Sequence, residues 1–298
     1  MKIGFVGTGR MGKENCLNLL KHGHELVVND IRREATRELE EKGAKWAATP
    51  KEIAQECRVS MMSLPMPADV ESVVAGPNGL LAGAQAGDLI VDLSTNSMGM
   101  VKKLDALCRE KGVAFLDAPV SGGVWGARDA TLAIMVGGEA EAFARAKPIF
   151  ECIGKNIVHT GPVGQGTVAK LVNNMMAFIN AVGVTEGMVL GVKAGADPDK
   201  LFQVIKASSG NSFTLEQNFA RGAFVGNFET GFAIDLAYKD CSLALDLARE
   251  CWVPITAGAL AFARLTEGRN AGLGLQNTSA LIQLLERMVG VQVRSKGQ

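Results

Sequence analysis

The first dozen residues constrain this chain more than any later stretch. KIGFV (2–6) is a short apolar run, and it leads at once into Gly7-Thr8-Gly9-Arg10-Met11-Gly12. The pattern Gly-x-Gly-x-x-Gly carries little weight by itself in a chain with 35 glycines. Its setting makes it specific here. An apolar strand precedes it, a helical pattern with Cys16, Leu17, Leu19 and Leu20 follows it, and Asp30 closes the next apolar run, HELVVND. The chemistry requires that order. Gly7 permits the tight turn, Gly9 lets backbone approach a pyrophosphate, and Gly12 lets helix and strand pack closely. A helix beginning there also aims unpaired N–H groups and a partial positive charge at the phosphates. Gly7, Gly9, Arg10, Met11 and Gly12 are therefore expected to bind a dinucleotide.

Asp30 bears on which dinucleotide is taken. A carboxylate at that strand end accepts hydrogen bonds from the ribose hydroxyls and repels a 2′-phosphate, which favours NAD. Arg32 and Arg33 follow directly. They suit a 2′-phosphate or a solvated helix start, so NADP stays open as the second cofactor.

Strand-like runs continue at VSMMSLP (59–65), DLIVDLST (88–95), VAFLDAPV (113–120), LAIMVGG (132–138) and IVHTG (157–161), with helical patterns between them. That alternation predicts βαβ units and a largely parallel sheet. Ligands of such sheets sit beyond the strands' carboxyl ends. Leu64 and Pro65 after one run, and Thr95 after the next, are expected to complete a nicotinamide pocket. Beyond about residue 162 helical periodicity takes over, at 166–194, 198–208, 212–222, 231–251, 254–267 and 276–290. Gly195-Ala196-Asp197-Pro198 reads as a helix stop followed by a new start, with Asp197 as cap and Pro198 at the first helical position. The division expected is an α/β domain over 1–162 and an all-helical domain over 163–298.

Composition narrows the partners. Lysine plus arginine (31) equals aspartate plus glutamate (31), and no basic tract appears. A neutral chain argues against nucleic acid or a membrane surface and for a small molecule. The most apolar stretch, Met175 to Val192, is interrupted by Asn180 and Glu186 and reads as a buried core helix, not a membrane span. Six scattered cysteines without a C-x-x-C pair, and three histidines without ligand spacing, predict reduced thiols, no metal and a cytoplasmic protein. The start, MKIGFVG, has no signal-peptide character.

Five motifs in series, GFVGTGRMG, DLST, DAPVSGGVWGARDATLAIMVGG, GPVGQGTVAKLVNNM and LAYKDCSLALDLA, resemble those of the β-hydroxyacid dehydrogenases, a family that includes 3-hydroxyisobutyrate dehydrogenase and tartronate semialdehyde reductase. The resemblance runs from residue 3 to about residue 250 and implies an α/β Rossmann-type N-terminal domain plus an all-α C-terminal domain joined by a long helix starting near Gly164. It implies a substrate cleft between the domains. By motif, Lys170 corresponds to the catalytic lysine. Asn174, with Asn173 beside it, corresponds to the residues that orient the substrate. Ser121, Gly122 and Gly123 correspond to its carboxylate site, and Thr95 and Lys239 to cofactor contacts. The family's substrates are small hydroxy acids and semialdehydes, and its members commonly form homodimers or homotetramers.

The residues themselves supply chemistry for those roles. Lys170, Asn173 and Asn174 stand at i, i+3 and i+4, so a helix puts them on one face. Polar groups on an apolar helix are costly to bury without a partner, and a bound hydroxy acid is one. Oxidising an alcohol needs a hydride acceptor, which the cofactor is, and a proton acceptor from the protein. No histidine lies in the five motifs, which leaves Lys170. A free lysine, with a pKa of ~10.4, is a poor base near neutrality, and desolvation or the positive nicotinamide lowers it. The pattern alone fits equally well a lysine snorkelling near a helix start, with asparagines bonded to a loop. Ser121-Gly122-Gly123 offers a hydroxyl and two accessible N–H groups for a carboxylate, or is an ordinary loop. Lys239-Asp240 on its own reads as a solvated helix surface. Val124, Trp125, Ser212, Phe213, Phe232 and Asp235 are candidates for the substrate side-chain wall. The alternatives are a reductase of the same family acting on a different carbonyl or imine acceptor, and a non-catalytic cofactor-binding member; imine-reducing relatives usually replace this lysine, so by the resemblance Lys170 favours alcohol and carbonyl chemistry.

Overall fold

The computed structural model describes residues 1–229 and 231–297. Its chain divides into two compact units, Met1–Lys170 and Leu171–Gln298. The first unit carries nine strands: β1 (Lys2–Val6), β2 (Glu25–Asn29), β3 (Lys45–Trp46), β4 (Val59–Met62), β5 (Leu89–Asp92), β6 (Ala114–Asp117), β7 (Val120–Ser121), β8 (Leu132–Gly137) and β9 (Gly154–Gly161). Between them run α1 (Arg10–Lys21), α2 (Arg37–Glu41), α3 (Pro50–Glu56), α4 (Pro67–Ala75), α5 (Leu80–Gly83), α6 (Met98–Glu110), α7 (Gly123–Arg128) and α8 (Ala140–Phe150).

The sheet order is β3-β2-β1-β4-β5-β6-β8-β7, with β9 on the other side of β8. From β3 to β6 all pairs are parallel, which is the doubly wound arrangement. Strand alternation feeds a separate core on each face. Ile3, Phe5, Leu26, Val28, Met61 and Val91 enter one cluster, while Val6, Val27, Met62 and Ile90 enter the other. Parallel strands covered on both faces must be apolar throughout, which is why these runs read as continuous rather than alternating.

One strand expectation is corrected. VAFLDAPV is not one strand: it ends as β6 at Asp117, and after Pro119, which has no N–H to give a ladder, β7 pairs antiparallel with β8. The short β3 carries too few residues for a period to show.

The helix α9 (Gln165–Lys193) starts in the first unit and runs on into the second. Also in the second unit are α10 (Pro198–Lys206), α11 (Ile234–Glu250), α12 (Thr256–Asn270) and α13 (Ile282–Val289). Asp197 caps α10 as its sequence predicts, accepting from the Asp199 and Lys200 amides, with Pro198 in the first turn. The expected helix over 212–222 contains a π-helical stretch, Thr214–Phe219. Its Phe219 stacks with Phe224 and Phe202, at centroid separations of 5.3 and 6.4 Å. By length and composition α9 could cross a membrane, and only 17% of its most apolar window is buried. Phe178, Met188 and Val189 enter the helical cores, with Ile179, Val182, Val184 and Val192 half-buried against them, so the expected core helix is met along part of its surface only. Apolar residues lie on more than one side of α9, and Val172, Met176 and Leu190 stay exposed.

Candidate active site

The glycine turn sits at the carboxyl end of β1, the middle of the parallel sheet. Gly7 has φ +87° and donates its N–H to the Asn29 carbonyl at 2.9 Å. A Cβ on Gly12 would lie 1.9 Å from the Gly7 carbonyl oxygen, so only glycine lets α1 start this close to the strand. A Cβ on Gly9 would meet nothing within 4 Å, and no side chain caps α1. Open backbone, an uncapped helix head and a first turn without acidic residues together fit a pyrophosphate. Arg10 is exposed and Met11 half-buried beside it.

Asp30 follows β2 directly, and the turn holds its carboxylate. Thr8 N–H donates to Oδ2 at 2.8 Å and Arg32 N–H to Oδ1 at 2.9 Å. Arg33 is committed elsewhere. Its guanidinium makes two bonds to Glu40, at 2.5 and 2.7 Å, and lies 4.5 Å from the centre of the Trp46 ring. The Arg32 side chain is solvent-exposed, its Nε 3.9 Å from Asp30 Oδ1.

The loops after β4 and β5 are tied to each other and to this turn. Leu64 N–H donates to Ser94 Oγ at 2.9 Å, and a Cβ on Gly7 would lie 2.5 Å from the Ser63 carbonyl oxygen. Fully buried Asp92 shapes the loop that carries half-buried Thr95. It accepts from Ser94 N–H at 2.9 Å and from Asn96 Nδ2 at 3.1 Å. Burial pushes the Asp92 carboxyl up from 3.8 to about 6, against the pull of these hydrogen bonds. Pro65 is exposed beyond Leu64. Sequence reading carried Leu64, Pro65 and Thr95 forward as contacts; in the same stretch Ser94 holds Leu64, and Asn96 holds Asp92.

Ser121 ends β7 opposite Ala133, and Gly122 and Gly123 follow with φ +131° and +63°. Both glycines are exposed, and α7, unforeseen in the sequence, starts at Gly123. Lys170, in the second turn of α9, is 8% exposed.

In the second unit Asn174, 6% exposed, joins a buried polar chain. Its Nδ2 donates to Asp240 Oδ2 at 2.7 Å, and Asp240 Oδ1 lies 2.8 Å from the Lys239 Nζ. Asn173 is exposed and donates to Asn174 Oδ1 at 3.2 Å. Of the three polar residues expected to act together on α9, Lys170 and Asn174, four apart, are buried, and Asn173 lies at the edge. Lys239-Asp240 is no solvated surface: the pair's side chains are 11% and 3% exposed. Asp240 was not singled out as a site residue, although it shares a buried face of α11 with Ala237, Cys241 and Ala244. A carboxylate among such neighbours requires a cation and hydrogen bonds. Of the six wall candidates, Asp235 pairs with Arg269 at 2.6 Å and Phe232 stacks on Phe178 at 6.0 Å. Ser212 accepts from Leu215 N–H, Phe213 is 77% exposed, and Val124 and Trp125 lie in α7. Among the described residues no group of three or more His, Cys, Asp or Glu could hold a metal ion.

Residues 2–161 match a family described as the NAD binding domain of 6-phosphogluconate dehydrogenase. Residues 164–285 match one described as NAD-binding of NADP-dependent 3-hydroxyisobutyrate dehydrogenase. The chain is 39% identical over 298 residues to 2-(hydroxymethyl)glutarate dehydrogenase of Eubacterium barkeri, covering 100% of this chain and 99% of the relative. It is 36% identical over 289 residues to the mitochondrial 3-hydroxyisobutyrate dehydrogenase of Mus musculus, covering 95% and 86%. A solved structure of Mycobacterium tuberculosis 3-hydroxyisobutyrate dehydrogenase with L-serine superposes with a TM-score of 0.86 at 31% identity, covering 95% of this chain and 98% of that one.

Proposed function

We propose, from the premise that this chain belongs to the 3-hydroxyisobutyrate dehydrogenase (β-hydroxyacid dehydrogenase) family of NAD(P)-dependent oxidoreductases, that it interconverts a small 3-hydroxy acid and its semialdehyde, with Lys170 as general acid/base and NAD as the preferred cofactor. One observation carries the reading: a lysine and an asparagine, 8% and 6% exposed, sit four residues apart on an apolar helix. Burying a lysine costs more than burying any apolar side chain of similar size, so its place here needs a use.

The dinucleotide, when bound, supplies the hydride acceptor. The chain's own groups do the rest. Lys170 Nζ takes the hydroxyl proton during oxidation and returns it during reduction. The Asn174 amide orients the hydroxyl, and its own orientation is supported by Asp240, which is charge-balanced by Lys239. The Ser121 hydroxyl and the N–H groups of Gly122 and Gly123 bind the substrate carboxylate. Gly7, Gly9, Arg10, Met11, Gly12, Asp30, Leu64, Pro65, Thr95 and Lys239 hold the cofactor. The Asp30 carboxylate at its strand end and the engagement of Arg33 by Glu40 support NAD over NADP. On this reading 1–162 is the dinucleotide-binding domain and 163–298 the substrate and oligomerisation domain. The protein is a cytoplasmic homodimer or homotetramer. Six free thiols support the first of these, and the exposed apolar residues of α9 support the second.

The test is absorbance of reduced nicotinamide when the protein and NAD meet a panel of short hydroxy acids. 3-Hydroxyisobutyrate, 2-(hydroxymethyl)glutarate and L-serine are included because the relatives' names and ligands supply them. Turnover of at least one is expected. NAD binding with no turnover of any would favour a non-catalytic member. Lys170→Ala should lower kcat by about 10²–10⁴-fold while NAD affinity stays within about threefold. Equal losses in both would make the lysine structural.

A further inference from the structure

Asp117 is 1% exposed at the end of β6, and its carboxylate is spent on the head of α9. Gly164 N–H donates to Oδ1 at 2.7 Å and Thr167 N–H to Oδ2 at 2.7 Å. A helix leaves its first four N–H groups without partners, and a side chain at the N-cap usually accepts one. Here the Gly164 carbonyl accepts the first intrahelical bond, from Val168, so the cap position is a glycine with no side chain to offer. An aspartate from a neighbouring strand does the capping, and its charge is attracted to the positive end of a 29-residue helix.

Packing leaves that helix head no slack. A Cβ on Gly166 would lie 2.3 Å from the Met135 carbonyl oxygen and 2.5 Å from that of Asp117. A Cβ on Gly137 would lie 2.4 Å from Asp117 Oδ1. The first turn of α9 therefore rests on the backbone of β6 and β8 with no side chain between. Thr167 and Lys170 stand three residues apart on one buried face of α9, at 1% and 8% exposure. In the other direction the chain runs from Asp117 through Ala118, Pro119 and Val120 to Ser121.

We propose that Asp117 is a positioning residue: by clamping the head of α9 to the end of β6, it fixes the Lys170 amine relative to the carboxylate-binding segment Ser121-Gly122-Gly123. The inference rests on the reading of Lys170 as the group that moves the proton. A misplacement of about 1 Å in such a group is enough to cost about 10²-fold in rate.

The test is a double-mutant cycle in the full chain. Asp117→Asn keeps the shape but loses the charge and turns one acceptor into a donor facing an N–H. It should lower kcat about 10–100-fold with the NAD KM within about threefold. In the Lys170→Ala background the same change should alter the residual rate by less than about threefold, because residues acting as a unit are not additive. A folded Asp117→Asn with wild-type kcat, or an equal loss in both backgrounds, overturns the proposal. Lys170→Ala with a wild-type rate would instead sink the reading of the lysine, and that single variant tells the two failures apart. If Asp117→Asn does not fold, Gly166→Ala lifts the helix head while leaving the carboxylate in place. The same loss, dependent on Lys170, is expected, and a folded Gly166→Ala with full kcat overturns the clamp.

Discussion

Asp30 accepts from the Thr8 amide with one carboxylate oxygen and from the Arg32 amide with the other. Such charge-assisted bonds fix a side chain more firmly than neutral ones. A fixed carboxylate discriminates better than a mobile one, because it cannot swing away from a 2′-phosphate. Asp30→Ser should therefore lower the ratio of kcat/KM for NAD over NADP by about 10-fold or more. A wild-type protein that already prefers NADP would mean that the arginines decide cofactor choice. The same residue-level reasoning separates Asn174 from Asn173. Their side chains are hydrogen-bonded, yet only Asn174 is buried and held by Asp240.

Strands β5 and β6 end side by side, with Asp92 and Asp117 in register. Each carboxylate holds the segment that follows a strand or begins a helix, and each is buried. The Asp117 charge helps push Asp92 up to about 6, after the larger effect of burial. A carboxyl whose folded pKa stands above its unfolded value makes the folded state bind the proton more tightly. The stability this contributes is fully present below about pH 4 and is lost as pH rises through about 6. Unfolding free energy of the wild type relative to Asp92→Asn should thus fall by on the order of 2–3 kcal/mol between pH 4 and pH 7. A difference that stays flat with pH, measured by urea unfolding, would show that Asp92 titrates normally.

The molecule as a whole leaves apolar surface uncovered on its helical part. Val172, Met176 and Leu190 of α9, Leu260 of α12 and Met288 of α13 are between 43% and 75% exposed. If the proposed self-association covers this surface, Leu190→Glu should shift the sedimentation mass from that of an oligomer towards that of a single chain. A wild-type chain that sediments as a monomer at micromolar concentration would defeat the oligomer proposal. The sequence by itself determined the strand–glycine turn–helix at the start, the alternation that builds the sheet, and the Asp197-Pro198 helix start. Each of these depends on residues adjacent in the chain, through fixed backbone geometry and side-chain period. Tertiary structure alone decided that Asp117 caps a helix whose donors lie 47 and 50 positions away, that Asp240 holds an asparagine 66 positions away, and that Val172, Met176 and Leu190 of α9 stay exposed. Buried polar groups need partners wherever the path of the chain brings them, and a string of residues carries the need without the address.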